Sequence, residues 1–321
     1  MNYNLASKWN LSLIPLIFKP ALDPSIKDKP QLCERTGLSY DGAFHKASTM
    51  NKKIIYDFGA NTGDDIPYYL KKGDVVVAIE ANPMLTKEIE RKYHQEILEG
   101  RLFVENCVIT NGEFSGNVPF YLHKHGNIIS QFPKPPIEEL PNFDEVLLPS
   151  KSVLDIISTY GKPYYIKIDI EGYDHEILRA LFEHQIFPEH LSAESHNIEV
   201  FALLVSTGFY KSFNLVDGPS IAKRYGNCLI HTPLGEERYS FPGNSAGPFG
   251  EDITSPWMNA NYFFELLALE KLGWKDIHAT NLDLANPKTR VYFEDYAWSH
   301  VLKKITPKIL RSIFYGHKKF R

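Results

Sequence analysis

Side chains that could do chemistry gather at the ends of four apolar runs. In chain order the four segments are IIYDFGANTGDD (residues 54–65), AIEANP (78–83), YYIKIDIEGYDHEIL (164–178) and LSAESHN (191–197). Each apolar run has the length of a buried strand and ends in an acid, a glycine or a histidine. An open α/β sheet binds its ligands outside the carboxyl ends of its strands. The pattern therefore predicts one site assembled from four distant segments.

The first segment predicts a cofactor loop. Gly59 and Gly63 permit left-handed dihedrals and let backbone come close to a ligand. Asp57, at the head of the turn, would repel a pyrophosphate but attract an ammonium or sulfonium group, which favours S-adenosylmethionine over a dinucleotide. Asn61 also disfavours a dinucleotide, because it occupies the position where the dinucleotide fingerprint G-x-G-x-x-G has its second glycine.

Glu80 supports a nucleoside. It follows the glycine loop by about 20 residues, the distance at which a carboxylate accepts hydrogen bonds from both ribose hydroxyls. The same arrangement suits a dinucleotide, so Glu80 by itself does not discriminate between the two cofactors.

The third and fourth segments predict acid–base chemistry. Lys167, Asp169 and Glu171 alternate along the chain, which would place all three on one side of the sheet. Burying ionisable groups is costly unless they are paired or used, so they form either a structural pair of Lys167 with one of the acids or part of a catalytic site. His196 could take a proton from a substrate hydroxyl; alternatively it caps the following helix or lies in the core. The predicted catalytic residues are Glu171, His196 and Asp169.

Strands and helices alternate from residue 53 onward, which predicts a mostly parallel sheet with helices on both faces. The predicted strands are 53–58, 75–80, 102–109, 118–122, 164–169, 191–194 and 274–278, and the predicted helices are 62–72, 83–98, 152–160, 173–182, 198–206 and 259–272. This domain spans 51–280, with an irregular extension over 1–50 and a basic amphipathic extension over 281–321. Proline- and glycine-rich loop insertions at 123–150 and 233–257 are expected to shape an acceptor pocket. Their aromatic residues suit stacking on sugar faces: Phe132, Phe143, Tyr239, Phe241, Phe249 and Trp257.

Composition excludes several classes of protein. The 321 residues carry a net charge of −4, and seven of the 35 Lys and Arg lie in 301–321, so the rest is acidic and does not suit nucleic-acid binding. Three cysteines without a CxxC spacing argue against a disulfide scaffold or a zinc site and favour the cytoplasm. The apolar stretch 11–18 is too short to span a bilayer. The stretch 301–321 would either dock on the domain or touch a membrane surface peripherally.

The order DFGANTGD, IEANP, KIDIEGYDHEIL resembles the FkbM family of S-adenosylmethionine-dependent methyltransferases, over roughly residues 50–230. The resemblance implies a Rossmann-like class I methyltransferase fold, with a seven-stranded, mostly parallel sheet whose last strand is antiparallel. It also implies methyl transfer to a hydroxyl oxygen, in a family whose acceptors include sugars, lipids and secondary metabolites.

Carried over by position, the resemblance implies a set of cofactor-binding residues. Those expected to bind the methionine end, the ribose or the transferred methyl are Asp57, Gly59, Ala60, Asn61, Gly63, Glu80, Asn82 and Asp169. Asp169 and Glu171 would face the methyl group and the acceptor.

The resulting expectation is an O-methyltransferase acting on a small-molecule, sugar or glycan-linked acceptor. The alternatives are a non-catalytic nucleotide-binding or scaffold protein on the same fold and an NAD-dependent oxidoreductase. Hard oxygen ligands suit Mg²⁺, and four acids could together hold a divalent cation: Asp169, Glu171, Glu194 and Glu251. Because these acids lie far apart in sequence, no metal is predicted.

Overall fold

The computed structural model describes residues 52–126, 129–270 and 272–285. The predicted extension over 1–50 and the basic stretch over 301–321 lie outside these residues, as does all but the beginning of 281–321.

Strands and helices alternate through most of the described chain. The strands are β1 Ile54–Phe58, β2 Val75–Ile79, β3 Leu102–Glu105, β4 Val108–Thr110, β5 Asn117–His123, β6 Phe143–Ser152, β7 Pro163–Ile168, β8 His190–Ser195, β9 Ser212–Asp217, β10 Cys228–Thr232, β11 Gly235–Tyr239 and β12 Gly273–Thr280. The helices are α1 Ile66–Lys72, α2 Pro83–Lys92, α3 His94–Leu98, α4 Val153–Tyr160, α5 Asp174–Glu183, α6 Ile198–Ser206, α7 Ile221–Tyr225 and α8 Ala260–Glu270.

Seven of these strands form the central sheet, in the order β3-β2-β1-β7-β8-β12-β9. The strands run parallel except β12, which is antiparallel to both of its neighbours, β8 and β9. This confirms the predicted α/β fold with its seven-stranded, mostly parallel sheet. The chain order reverses between β1 and β7, so the crevice at their carboxyl ends is where such a sheet binds ligands.

Both faces of the sheet are covered, which is why β1 reads as a continuous run of buried residues. One face packs against α4, α5, α6 and α8, and the other against α1, α2 and α7. Side chains alternate between the faces, so Tyr56 and Phe58 lie in the first layer and Ile55 in the second. Within the described ranges, no helix has the length and apolar character needed to cross a membrane.

The predicted single helix over 83–98 is wrong, because the chain forms two helices, α2 and α3. Tyr93, between them, leaves helical geometry at φ −115° and ψ 32°. Its ring is buried and its hydroxyl donates a hydrogen bond of 2.7 Å to the carbonyl oxygen of Gly63. The break in the helix therefore braces the glycine loop.

The predicted strand over 102–109 is also divided: β3 lies in the central sheet and β4 in a three-stranded sheet with β5 and β6. Asn106, at the break, donates from Nδ2 to the carbonyl oxygens of Glu80 (2.9 Å) and Ala81 (3.0 Å). These bonds fix the backbone at the end of β2, from which the Glu80 side chain projects.

The predicted loops were only partly correct. The stretch 123–150 contains most of β6, a ten-residue strand that pairs antiparallel with β5. The four prolines that suggested a loop (133, 135, 136 and 141) all precede this strand. The stretch 233–257 begins with β11, which pairs with β10, and the strand β9 was not predicted at all.

Candidate active site

A cavity of about 400 Å³ opens at the carboxyl ends of β1, β2, β7 and β8. Its volume is in the range of small-molecule sites. Six predicted site residues line it: Gly59, Asn61, Glu80, Asp169, Glu171 and His196. Four others do not, namely Asp57, Ala60, Gly63 and Asn82. The structure thus brings the cofactor-side and the catalytic-side residues to one cavity.

The glycine loop is shaped by contact between backbones. Gly59 has φ +84°, and a Cβ built there would lie 1.9 Å from the carbonyl oxygen of Asp169. The amides of Gly59 and Ala60 both donate to the carbonyl oxygen of Ile79, at 3.0 Å each. Gly59 is therefore required where the ends of β1 and β7 meet, in addition to any approach of a ligand.

Glu80 is held as an acceptor at the end of β2. Its Oε2 accepts from the Asn61 amide at 2.7 Å and its Oε1 from the Asn82 amide at 2.8 Å. Burial raises the pKa of Glu80 to about 7, and the two backbone bonds oppose the rise. Each carboxylate oxygen has a further lone pair, so the group can still accept hydrogen bonds from ribose hydroxyls in the cavity.

Asn82 has a structural role. Its Oδ1 accepts a 3.0 Å hydrogen bond from the Met84 amide, which caps α2, and Pro83 occupies the first helical position. An N-cap residue directly before proline is a typical helix start. The cap fixes the amide of Asn82 that holds Glu80.

Asp57 is buried and does not line the cavity. It is 1% exposed, and its Oδ1 is 3.3 Å from Nζ of Lys167. Burial raises the pKa of Asp57, and the Lys167 ammonium opposes this rise. The predicted direct attraction of a cofactor ammonium therefore has to act through a carboxylate that already faces a cation.

Lys167, in β7, contacts residues at the ends of both β1 and β7. Its Nζ donates to the carbonyl oxygen of Gly59 at 3.1 Å and lies 3.1 Å from Oδ2 of Asp169. Burial by itself would lower the pKa of Lys167, but Asp169 and Asp57 raise it well above the usual value. The structural pair with Asp169 that the sequence left open is present, while Asp169 also lines the cavity.

Glu171 reaches the cavity from a turn and not from a strand. The predicted alternation ends at Ile168, where β7 ends, and Glu171 has φ +50°. A positive φ in a residue other than glycine is strained and is concentrated at functional sites. Burial and the neighbouring Asp169 raise the pKa of Glu171 to about 7, and His196 opposes the rise. A carboxyl group with such a pKa can accept or donate a proton near neutrality.

His196 neither caps a helix nor lies in the core, so both structural alternatives for it were wrong. Its side chain is 38% exposed, and Asn197 provides the cap of α6 by accepting from the Glu199 amide at 2.9 Å. Nδ1 of His196 is 3.2 Å from Oε2 of Glu194. Burial raises the pKa of Glu194 to about 10, with Asp169 and Asp174 adding to the rise.

Several cavity residues were not predicted. An apolar wall is formed by Leu85, Cys107, Val108, Ile109, Phe120 and Tyr173. Trp274, 55% exposed at the start of β12, also lines the cavity. Of the six loop aromatics, Phe132 lines the cavity, whereas Phe241, Phe249 and Trp257 are buried in the layer around Tyr68.

Glu251 does not belong to the acidic cluster. A Cβ on its neighbour Gly250 would lie 3.0 Å from the ring of His190, the first residue of β8. Glu194 is four residues further along β8, or about 13 Å at 3.3 Å per residue. Glu251 therefore cannot share one cation with Glu194, so the four-acid site is wrong with respect to Glu251.

The sheet order, with its antiparallel β12, is that of the class I S-adenosylmethionine-dependent methyltransferase fold, and the cavity lies at its switch point. The comparison with known families agrees: residues 57–202 match the methyltransferase FkbM domain, and this part of the chain belongs to that family. The family implies S-adenosylmethionine as the cofactor, and the residues present fit it. Glu80 retains free acceptor capacity for ribose hydroxyls, and apolar side chains form a wall for a nucleoside.

Solved structures resemble the chain only distantly. A methyltransferase FkbM from Methylobacillus flagellatus KT matches with 18% identity and a TM-score of 0.34, over 54% of this chain and 43% of that one. The precorrin-6y C5,15-methyltransferase from Geobacter metallireducens GS-15 matches with 10% identity and a TM-score of 0.32, over 72% and 80%. The M. capricolum TrmK, solved with S-adenosyl-homocysteine, matches with 11% identity and a TM-score of 0.30, over 84% and 88%. The chain thus spans less than half of the M. flagellatus protein. No curated protein matches the sequence.

Proposed function

We propose that this protein transfers a methyl group from S-adenosylmethionine to a hydroxyl oxygen, in a sugar or a glycan-linked acceptor. The observation that carries the proposal is the shared cavity. Gly59, Asn61 and Glu80 line its cofactor side, while Asp169, Glu171 and His196 line the same space.

The chain's own residues would bind, orient and accept a proton. Glu80, held by two backbone amides, would orient the ribose and thereby the sulfonium. The cofactor supplies an electrophilic methyl group. The acceptor oxygen forms a bond to the methyl carbon as the carbon–sulfur bond breaks, the electron pair stays on sulfur, and the hydroxyl proton passes to the group of Asp169, Glu171 and His196. Alignment of this kind can contribute about 7–11 kcal/mol to lowering a barrier.

A hydroxyl-rich acceptor suits the side of the cavity that Trp274 and the acids line. Carboxylates there can accept hydrogen bonds from sugar hydroxyls. Trp274 offers an exposed aromatic face, and its ring is held against backbone, because a Cβ on Gly218 would lie 2.7 Å from Cε2. A ring held in place loses little freedom when a sugar stacks on it.

Ligand-dependent stabilisation and product mass test the proposal. S-adenosylhomocysteine should raise the melting temperature of the purified chain, because a ligand that binds the folded state stabilises it, and NAD should not. Incubation with S-adenosylmethionine and a panel of sugars should then give a product heavier by one methylene. Stabilisation by NAD alone would favour the oxidoreductase, and binding of S-adenosylhomocysteine without transfer to any hydroxyl would favour the non-catalytic alternative.

Single substitutions test which group takes the proton. Glu171→Gln, His196→Ala and Asp169→Asn should each be assayed with saturating cofactor. Glu183→Gln, at the exposed far end of α5, is the matched control and should keep normal turnover. If none of the three cavity variants lowers turnover while the S-adenosylhomocysteine affinity is unchanged, the proposed proton-accepting group is wrong.

Membrane contact through residues 301–321 is a separate proposal that rests on the sequence. Co-sedimentation with anionic liposomes, for the intact chain and for a chain cut at residue 300, tests it. Equal binding by both would contradict it.

A further inference from the structure

Three side chains at the cavity converge on one point. Glu171 follows β7, Glu194 lies in β8 and His196 comes directly after β8. Each offers one ligand atom, and the three atoms lie within 4.8 Å of one another. Two ligands on opposite sides of one ion stand about twice a metal–ligand bond apart, or roughly 4–5 Å at 2.0–2.4 Å per bond. The three atoms are therefore close enough to share a single cation.

Glu194 provides an independent sign of a missing partner. Its side chain is buried, and within the described residues its Oε2 takes part in no hydrogen bond. Nδ1 of His196 lies 3.2 Å away, but the two atoms are not aligned for a hydrogen bond. A shared ion would account for a carboxylate oxygen and a ring nitrogen that are this close without a hydrogen bond between them. In an octahedral site, adjacent ligands at about 2.1 Å from the ion would be about 3.0 Å apart.

Acidic side chains near Glu194 also favour the binding of a cation. Asp276 stands opposite Glu194 in the pairing of β12 with β8, Oδ1 of Asp174 accepts a 3.2 Å hydrogen bond from the Glu194 amide, and Asp169 lines the same cavity. The ammonium of Lys167 is nearby, but it already contacts Asp57 and Asp169. Unbalanced carboxylates in a partly buried cluster repel one another, and a bound ion is one way to balance them.

We propose that Glu171, Glu194 and His196 bind one divalent first-row cation that orients the acceptor. Two carboxylates and an imidazole are a mixed oxygen and nitrogen set, which suits an ion such as Mn²⁺ better than an all-oxygen set would. Three protein ligands leave coordination positions open for water or for a substrate hydroxyl.

The role of the ion rests on the proposed hydroxyl methylation, whereas its binding does not. Coordination lowers the pKa of a hydroxyl. With Glu171 and His196 bound to the ion, Asp169 would be the remaining member of the three proposed proton acceptors, since it lines the cavity and lies outside the ligand set. The freed electron pair on the acceptor oxygen forms the new bond to the methyl carbon.

Binding of MnCl₂ to the full chain, freed of metals with a chelator, tests the site without any turnover. Electron paramagnetic resonance of free Mn²⁺ should show one bound ion per chain. Glu194→Gln and His196→Ala should each weaken binding at least tenfold. Glu251→Gln removes an exposed acid at the other end of β8 and should bind as the unchanged chain does.

A parallel titration with S-adenosylhomocysteine separates the two proposals. Normal binding of S-adenosylhomocysteine with no stoichiometric Mn²⁺, or equal Mn²⁺ affinity in all three variants, would overturn the metal site and leave the methyltransferase intact. We expect one bound Mn²⁺ per chain, which the Glu194 and His196 variants lose. We also expect hydroxyl methylation to fall at least tenfold on chelation and to return with MnCl₂. Methylation that is insensitive to chelation would overturn the role of the ion.

Discussion

Replacement of Lys167 should strongly lower the free energy of unfolding. Its buried ammonium lies 3.3 Å from Asp57 and 3.1 Å from Asp169, and it donates a 3.1 Å hydrogen bond to the carbonyl oxygen of Gly59. Removing one partner of a buried ion pair costs about 3–5 kcal/mol, because the other charge is left uncompensated. We expect Lys167→Met to lower the free energy of unfolding at pH 7 by about this amount.

Urea unfolding at pH 7, followed by fluorescence, measures the loss. Lys71→Met is the matched control, because Lys71 lies 2.9 Å from Glu237 in an ion pair whose side chains are 42% and 41% exposed. Such surface pairs contribute about 0–1 kcal/mol. The expected difference between the two lysine variants in the free energy of unfolding is therefore about 2–5 kcal/mol.

A double variant tests the cause. In Lys167→Met, Asp57 is a buried carboxylate without its cation, so Lys167→Met with Asp57→Asn should recover part of the loss. The sign of the pH dependence follows from the same reasoning. The raised pKa of Asp57 means that the folded variant holds a proton more tightly than the unfolded chain, so the loss should shrink as the pH falls. Equal losses in Lys167→Met and Lys71→Met, or no recovery in the double variant, would refute the argument.

Three further predictions concern the cavity. Gly59→Ala should abolish S-adenosylhomocysteine binding and sharply lower the melting temperature, because its Cβ would lie 1.9 Å from the carbonyl oxygen of Asp169. The control is Gly116→Ala, at φ +76° with no atom within 4 Å of the added Cβ. It should lower the free energy of unfolding by only about 1–2 kcal/mol. Equal losses would contradict this. The affinity for S-adenosylhomocysteine, measured by calorimetry, should fall by up to about tenfold per pH unit below pH 7, since ribose hydroxyls donate to the ionised form of Glu80. Glu80→Gln should bind more weakly and should not show this pH dependence. Trp274→Ala should raise the KM for a sugar acceptor by roughly two- to tenfold, from the loss of about 0.5–1.5 kcal/mol of stacking, and leave S-adenosylhomocysteine affinity unchanged; an unchanged KM would contradict stacking.

The residues on the cofactor side of the cavity could be predicted from the sequence because they belong to local sequence patterns. A glycine loop between a strand and a helix, with an acid at the end of the next strand, placed Gly59, Asn61 and Glu80 correctly at the cavity. Close approach to a ligand is only part of the reason for Gly59, because the Asp169 backbone that crowds it lies more than 100 residues away in the chain. Contacts of that kind leave no trace in a local pattern.

The acid–base side was predicted less well, for two physical reasons. The alternation predicted that Glu171 shares one side of the sheet with Lys167 and Asp169, but β7 ends at Ile168 and Glu171 lies in a turn at φ +50°, which periodicity cannot reveal. Trp274 belongs to β12, which enters the sheet antiparallel beside β8, so its start meets the end of β8. Only the order of strands brings it to the site.

Asp169 connects the two halves of the cavity. Its carbonyl oxygen crowds Gly59, its carboxylate contacts Lys167, and it lines the space in which the acceptor would bind. Lys167 in turn bonds the carbonyl oxygen of Gly59 and faces Asp57. Because one buried ammonium holds both the glycine loop and this carboxylate, their relative position is set by the sheet and does not have to be created by the ligand. We therefore expect Lys167→Met to weaken S-adenosylhomocysteine binding as well as stability, even though Lys167 does not line the cavity. Calorimetry under conditions where the variant is folded would show this, and unchanged affinity would mean that the loop keeps its position without the ammonium.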